Sequence, residues 1–241
     1  MTVIADPTET GSGSGRVSLA YDRIRRSIVE GSYPAGSRLV EEALSAELSL
    51  SRTPIREALR RLEVEGLVLY RRNRGAVVQT TTPEEVADLY ELRARLESYA
   101  AELAATRSTA DDRKALLEAA DDFDRVLGVN PRQSPRPAEE RWALHEANGR
   151  FHRAIVTAAR HERLLQMLDR TVDVPLVYQA LERFDPAELE RSALFHRMIT
   201  RAVITGQAAR AGRLMAEHIL LGRDRLLAPE NVDDKAEARS E

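Results

Sequence analysis

Arg52, Arg56 and Arg60 recur every fourth residue along a stretch whose other side carries Ile55, Ala58, Leu59 and Leu62. That is the i, i+3, i+4, i+7 spacing of a buried helical stripe. Such a helix buries one face and offers a row of guanidinium forks on another, and a planar fork suits phosphate oxygens or the O6/N7 edge of guanine. Exposed arginines at this spacing are also what a plain solvated helix carries, so the chemistry depends on what flanks them. The second group is imidazole. The five histidines are His145, His152, His161, His196 and His218, all in the second half of the chain. Asn148 and His152 are four apart and project from one face of an expected helix. His196 falls in the middle of a later helix and His218 near the end of another. Three imidazoles and an amide oxygen can meet inside a bundle and hold a divalent cation. The competing reading is of ordinary polar residues near helix surfaces, and His145 and His161 are left with it.

The flanks of the arginine helix turn it into a device. Ser51 can cap its first turn, and Pro54 sits early enough that its missing N–H breaks no intrahelical bond. Upstream, Leu39 to Leu48 reads as a short helix with Leu39, Ala43, Leu44 and Leu48 inward, and Ser49-Leu50-Ser51 is a short turn. This is helix-turn-helix spacing. Downstream, Gly66 ends the helix, and the β-prone runs Leu67 to Tyr70 and Ala76 to Gln79 flank Arg71-Arg72-Asn73-Arg74-Gly75, a hairpin with arginines at its tip. In that setting Arg52 and Arg56 are expected to read guanine edges and Thr53 a base or phosphate. Arg60, Arg72 and Arg74 position the backbone, and Arg61 is undecided.

The elements that must position the histidines are helices. Pro83-Glu84-Glu85 opens one whose Val86, Leu89, Leu92, Leu96, Tyr99, Ala100 and Leu103 form a long apolar stripe. A second runs from about Thr109 to Leu127, and Gly128 to Pro137 is a loop. Four more are expected at about 138 to 158, 161 to 181, 186 to 204 and 207 to 226, the last pair divided by Gly206. Six antiparallel helices with short links make a bundle, and bundle interiors commonly hold ligand and metal sites.

Composition narrows the classes. The chain has 241 residues, 43% of them hydrophobic, enough for two compact domains. Its net charge of −3 conceals a gradient: residues 16 to 82 carry 12 Arg against 8 Asp and Glu, a basic head on an acidic body. That suits a protein that docks one end on a polyanion. There is no Cys, hence no disulfide frame and no thiolate metal site. Met1 to Gly15 lacks a basic start and an apolar core, and no stretch is apolar enough to cross a membrane, so a cytoplasmic protein is expected. Residues 1 to 15, with Gly11-Ser12-Gly13-Ser14-Gly15, read as a flexible lead-in, and residues 229 to 241 as a flexible tail. A metal-dependent enzyme acting on a small organic acid would use three histidines. No acid or base stands at fixed spacing beside them, however, and no G-x-S-x-G occurs. A sensor that has lost DNA binding is opposed by the intact Arg52, Thr53 and Arg56.

With these residues in view, residues 18 to 80 resemble the winged-helix domain of GntR-type bacterial transcription regulators. The likeness is carried by Tyr21 to Gly31, Pro34-Ala35-Gly36-Ser37-Arg38-Leu39, the Ser51 to Leu62 run, and Gly66-Leu67-Val68 leading to Gly75. The resemblance implies that Arg52, Thr53 and Arg56 contact DNA and that the wing around Gly75 enters the minor groove. Residues 83 to 227 are similar to the all-helical effector domain of the FadR subclass, the FCD domain. Here the likeness is carried by Glu91-Leu92-Arg93 with Glu97, Phe151-His152-Arg153-Ala154-Ile155, His196-Arg197, Gly206 to Ala211, and His218-Ile219. It implies a divalent cation, zinc, nickel or manganese, held by His152, His196 and His218. The family's Asp position is occupied by Asn148, a weaker ligand. It also implies a small organic acid effector, for whose carboxylate Arg93 is the first choice and Arg197 the second. The competing reading of Arg93 is an i, i+4 salt bridge with Glu97.

The expected protein is therefore mainly α: a winged helix-turn-helix with a small β-hairpin over residues 16 to 80, then an all-α antiparallel bundle over 83 to 228. It would act as a homodimer on a two-fold symmetric, double-stranded operator, most simply as a repressor that a small acid releases.

Overall fold

The computed structural model describes residues 13–72, 74–128, 136–171 and 174–229. The chain divides into two compact units, Met1–Thr81 and Thr82–Glu241. Of the segments expected to be flexible, Met1 to Ser12 and residues 230 to 241 lie outside the described residues, as do the wing-tip Asn73 and residues 129 to 135 of the expected loop.

In the first unit, α1 (Gly13–Val29) puts Ala20, Ile24 and Ile28 on one side, four apart. The helix begins at Gly13, so the last three residues of the expected flexible lead-in are helical. β1 (Arg38–Leu39) precedes α2 (Glu41–Leu48). Here Leu39 departs from expectation. It belongs to a strand rather than to the helix, pairing with Ala76 while Arg38 pairs with Val77. Val40 is extended (φ −93°, ψ 118°), so the helix starts one residue later. Leu39 is still buried, through strand alternation instead of helical period.

Ser49 takes a left-handed conformation (φ 54°) that turns the chain after α2, and the Leu50 N–H donates back to the Ser45 carbonyl at 3.1 Å. α3 (Arg52–Val64) follows, with Ile55, Ala58, Leu59 and Leu62 wholly buried. Ser51 occupies the N-cap position in extended conformation, but its hydroxyl makes no capping bond. Gly66 (φ 76°) supplies the left-handed residue past α3, and the Leu67 N–H closes on the Leu62 carbonyl at 2.9 Å. β2 (Val68–Arg71) and β3 (Gly75–Val78) form the hairpin. With β1 the sheet is three-stranded and antiparallel, in the order β1-β3-β2.

The second unit holds α4 (Pro83–Arg107), α5 (Ala110–Gly128), α6 (Ala138–Ala158), α7 (Glu162–Thr171), α8 (Val174–Arg183), α9 (Pro186–Ile204) and α10 (Ala208–Leu227). Capping boxes open α4, from Thr82 with Glu85, and α9, from Asp185 with Glu188. The single helix expected over 161 to 181 is two. Pro175 gives the reason: inside a continuous helix it would remove a bond and clash with the carbonyl four residues back, whereas in the first turn of α8 it costs nothing.

The face of α4 turned to the core also differs from the expected stripe. Val86 and Ala100 are buried, together with Tyr90, Arg93, Ala94, Glu97, Ala101, Ala104 and Ala105. Leu92 and Tyr99 are 47% and 45% exposed. The alanines let α10 approach α4 closely. At Gly212 of α10 an added Cβ would come within 2.6 Å of the Glu102 carboxylate.

The arginine helix is held in its unit by one apolar seat. We expect Ile55→Ala to lower the unfolding free energy of this unit by about 2–5 kcal/mol, read as a lower denaturant midpoint with an unchanged slope. An unchanged midpoint would mean that the seat is not what fixes α3.

Candidate functional site

The first candidate surface is the outer face of α3. The side chains of Arg52, Arg56 and Arg60 are 61%, 50% and 62% exposed, and Thr53 is exposed too. None of the three arginines is idle. Glu41, the first residue of α2, accepts two bonds from Arg56, from Nε at 3.1 Å and from Nη2 at 2.8 Å. This guanidinium beside Glu41 holds its carboxyl below the ordinary value. Glu42 pairs with Arg52, and Glu57 accepts from Arg60 Nη1 at 3.1 Å. Glu41 covers the Nε side of the Arg56 fork, which leaves the Nη1 end directed elsewhere. In the wing, Arg71, Arg72 and Arg74 border a hollow with Gly36 and Thr80, and Gly75 adopts φ 71°, which favours glycine.

The second candidate lies inside the helical unit. His152 of α6, His196 of α9 and His218 of α10 are all buried, and their ring nitrogens converge. Nε2 of His218 lies 3.2 Å from Nε2 of His196 and 3.2 Å from Nε2 of His152. Metal–nitrogen bonds of about 2.1 Å at tetrahedral to octahedral angles place neighbouring nitrogens roughly 3.0–3.4 Å apart; these two separations match that range, and the three ligand atoms all lie within 4.8 Å of one another. Burial, followed by the neighbouring imidazoles, holds His196 well below the ordinary histidine value, and burial with His152 does the same for His218. Both therefore keep the neutral form that a ligand needs. The His196 ring stacks on Phe151 with centroids 3.9 Å apart and meets Phe123 edge-on at 4.6 Å. Its Nδ1 has no hydrogen-bond partner among the described residues.

The third ring is oriented by Glu97, a residue for which the sequence suggests only a salt bridge. Glu97, 1% exposed, lies with Oε2 2.5 Å from Nδ1 of His152 and accepts from Arg93 Nε through Oε1 at 2.5 Å. Burial alone would raise the Glu97 carboxyl, but Arg93 and His152 outweigh it and hold the group well below the carboxylate range. An ionised Glu97 puts the His152 proton on Nδ1 and turns a bare Nε2 toward the other two rings. This is the carboxylate–histidine arrangement that commonly supports a metal ligand. The available signal was a pair of charges, Arg93 and Glu97, in step with Ala100, Ala101 and Ala104 on a face that could only be internal.

The other expected residues fall as follows. Asn148 is 4% exposed and lines a small cavity with Arg93, His152 and His218. Arg93 forms the salt bridge with Glu97 and lies with its guanidinium carbon 5.6 Å from the centre of the Tyr90 ring. Arg197, the second choice for the carboxylate, instead pairs at the surface with Asp124 at 2.6 Å. His145 packs its ring against Trp142 and Tyr178, and His161 accepts the Leu164 N–H at the start of α7. No helix among the described residues is long and apolar enough to cross a membrane.

Residues 17–78 match the model of the bacterial regulatory proteins of the gntR family, and residues 88–221 match the FCD domain. The chain is 29% identical over 205 residues to the HTH-type transcriptional repressor GlaR of Escherichia coli (strain K12), covering 83% of this chain and 90% of that protein. It is 27% identical over 202 residues to a probable D-xylose utilization operon transcriptional repressor of Paenarthrobacter nicotinovorans, covering 84% of each. Among solved structures it resembles E. coli McbR/YncC, with a TM-score of 0.68 at 20% identity over 85% of this chain and 93% of that one. A putative transcriptional regulator GntR from Rhodococcus sp. RHA1 gives a TM-score of 0.67 at 21% identity, over 90% and 99%. The gntR family model and the two relatives, both named as transcriptional repressors, set aside the enzyme reading. With its first unit matched by the gntR family model and its helical unit by the FCD domain, this chain belongs to the GntR family of bacterial transcription regulators, with an FCD effector domain.

Proposed function

We propose that this regulator is a cytoplasmic repressor that binds a palindromic operator as a homodimer and is released by a small carboxylate held near a divalent cation. The observation that carries the reading is the convergence of three Nε2 atoms within one buried cluster, in a chain that also presents an arginine-faced helix. His152, His196 and His218 would hold the cation, with Asn148 as a fourth, neutral ligand. Such a cation would supply a positive centre for the effector's carboxylate. Arg93 would add charge from the cavity wall while Glu97 fixes the His152 ring. An effector regulates only to the extent that it favours one arrangement of the protein over another.

On DNA, Arg52, Thr53 and Arg56 would enter the major groove. Arg60, Arg72 and Arg74 would hold phosphates, and the wing around Gly75 would lie in the minor groove. Glu41 would buttress Arg56, leaving the end of its fork for a guanine. A two-fold operator needs two copies of α3. The outward side of α4, where Leu92 and Tyr99 stand exposed between the partly buried Leu89, Leu96 and Leu103, is the surface on which a second copy would pack.

Three measurements test this reading. Gel shift with operator and scrambled duplexes should show Arg56→Ala losing about 1–3 kcal/mol on the operator alone. Arg74→Ala should weaken both duplexes and flatten the salt dependence. Equal losses on both duplexes for Arg56→Ala would make it a phosphate contact instead. Light scattering at micromolar concentration should give a dimer without DNA, and a monomer would rule out α4 as a dimer surface. For the cation, metal content after reconstitution with zinc, nickel or manganese and extensive dialysis should fall in His196→Ala, together with effector response, while operator affinity persists. Asn148→Asp should retain metal more tightly, because it adds a charge to the ligand set. Wild type and both variants emerging free of metal would leave only a polar pocket.

A further inference from the structure

The cavity beside the histidines has a volume of about 30 Å³, which suits one or two water-sized groups and not an organic acid. A larger cleft of about 250 Å³ adjoins it. Phe184, Ser192 and His218 line both, so together they form the wall between the outer cleft and the histidine cluster.

Ser192 is the unusual member of that wall. It lies inside α9, is 2% exposed, and its Oγ has no hydrogen-bond partner among the described residues. Helical serines often return the hydroxyl to the carbonyl four residues back, here that of Glu188, and this one does not. A buried hydroxyl left unpaired destabilises the fold. It is therefore better explained by a ligand than by packing. Position 192 is one helical turn before His196, about 6 Å along the axis. Ser192 and His196 thus share a face of α9, and a short acid whose carboxylate meets the cation would turn its next oxygen, one or two carbons away, toward that hydroxyl. The charges of the outer cleft are already paired: Arg225 lies 3.5 Å from Glu188, Arg191 lies 3.9 Å from the same carboxylate, and Asp224 is met by Arg223 at 2.8 Å. This pairing does not favour a second carboxylate at the far end of the ligand.

We propose that Ser192 Oγ is a ligand-reading group, and that the effector is a short hydroxy or oxo monocarboxylic acid which reaches the histidines through the cleft beside Phe184. The inference rests on the proposed carboxylate effector and adds a subsite and a chemical class to it.

The test uses the full-length, zinc-loaded chain and two matched pairs of acids, lactate against propionate and 3-hydroxybutyrate against butyrate, with affinities from calorimetry. Wild type should prefer the hydroxy member of at least one pair by on the order of tenfold. Ser192→Ala should bring that ratio close to one while zinc content and propionate affinity stay as in wild type. Ser192→Thr, which keeps the hydroxyl, should retain the preference. If Ser192→Ala keeps the wild-type ratio, or if wild type binds the acids without preferring the hydroxy members, the role of Ser192 is overturned and the carboxylate reading stands. If zinc-loaded wild type binds none of the four acids, the short-acid class fails. If wild type cannot be loaded with zinc at all, the reading beneath it fails as well.

Discussion

A carboxylate with 1% of its surface exposed is tolerated only where its charge is met at close range, and Glu97 is met twice. Arg93 neutralises it along α4, and His152 takes its second oxygen from α6. Leaving one member of such a buried set unpaired typically costs about 3–5 kcal/mol, more than a marginally stable domain can easily absorb. The three residues are therefore bound to act as a unit. That unit fixes where α6 sits against α4, which proton His152 carries, and which way its second nitrogen points. His196 and His218 come from α9 and α10, whose places are set by the apolar packing of Ile199, Val203, Ala211 and Met215 in the same core. The convergence of the three imidazoles thus needs both kinds of force, an ionic register on one side and close packing on the other.

The winged-helix unit is organised by a simpler constraint. α3 must present its arginines without moving, and it is pinned by four fully buried side chains against α1 and the small sheet. Left-handed residues at Ser49 and Gly66 bound it at both ends, so its position is fixed by backbone geometry as well as by burial. Glu41 and Glu42 then hold Arg56 and Arg52 from the neighbouring helix.

Much of this is legible in the sequence because it is local. Apolar spacing places α3, α6 and α9 within a residue or two, Gly66 and Gly206 mark helix ends, and the wing arginines stand between two β-prone runs. What the sequence hides depends on contacts distant in the chain. Leu39 reads as helical by period, and only its pairing with Ala76 makes it a strand. The expected α4 stripe runs through Leu92 and Tyr99 because large residues look internal, whereas the close approach of α10 puts the alanines inside. Pro175 is a local sign that a helix must restart, and the expected span runs through it. Of the candidate cluster, the histidines can be selected from their spacing and family likeness. Glu97 as the partner of His152 cannot, because the contact joins residues 55 positions apart.

The glutamates at the start of α2 bear on how such a protein moves over a genome. A bare row of arginines would cling to any duplex through phosphate attraction alone, and release from wrong sites would be slow. Here carboxylates already sit on Arg52 and Arg56, so arbitrary DNA must displace or share an existing partner for a modest return. A guanine offering two acceptors to the uncovered end of the fork need not disturb that partner at all. If α3 reads DNA as proposed, this pairing would shorten residence on random sequence more than on the correct one, and α2 would act as a brake on loitering during the search.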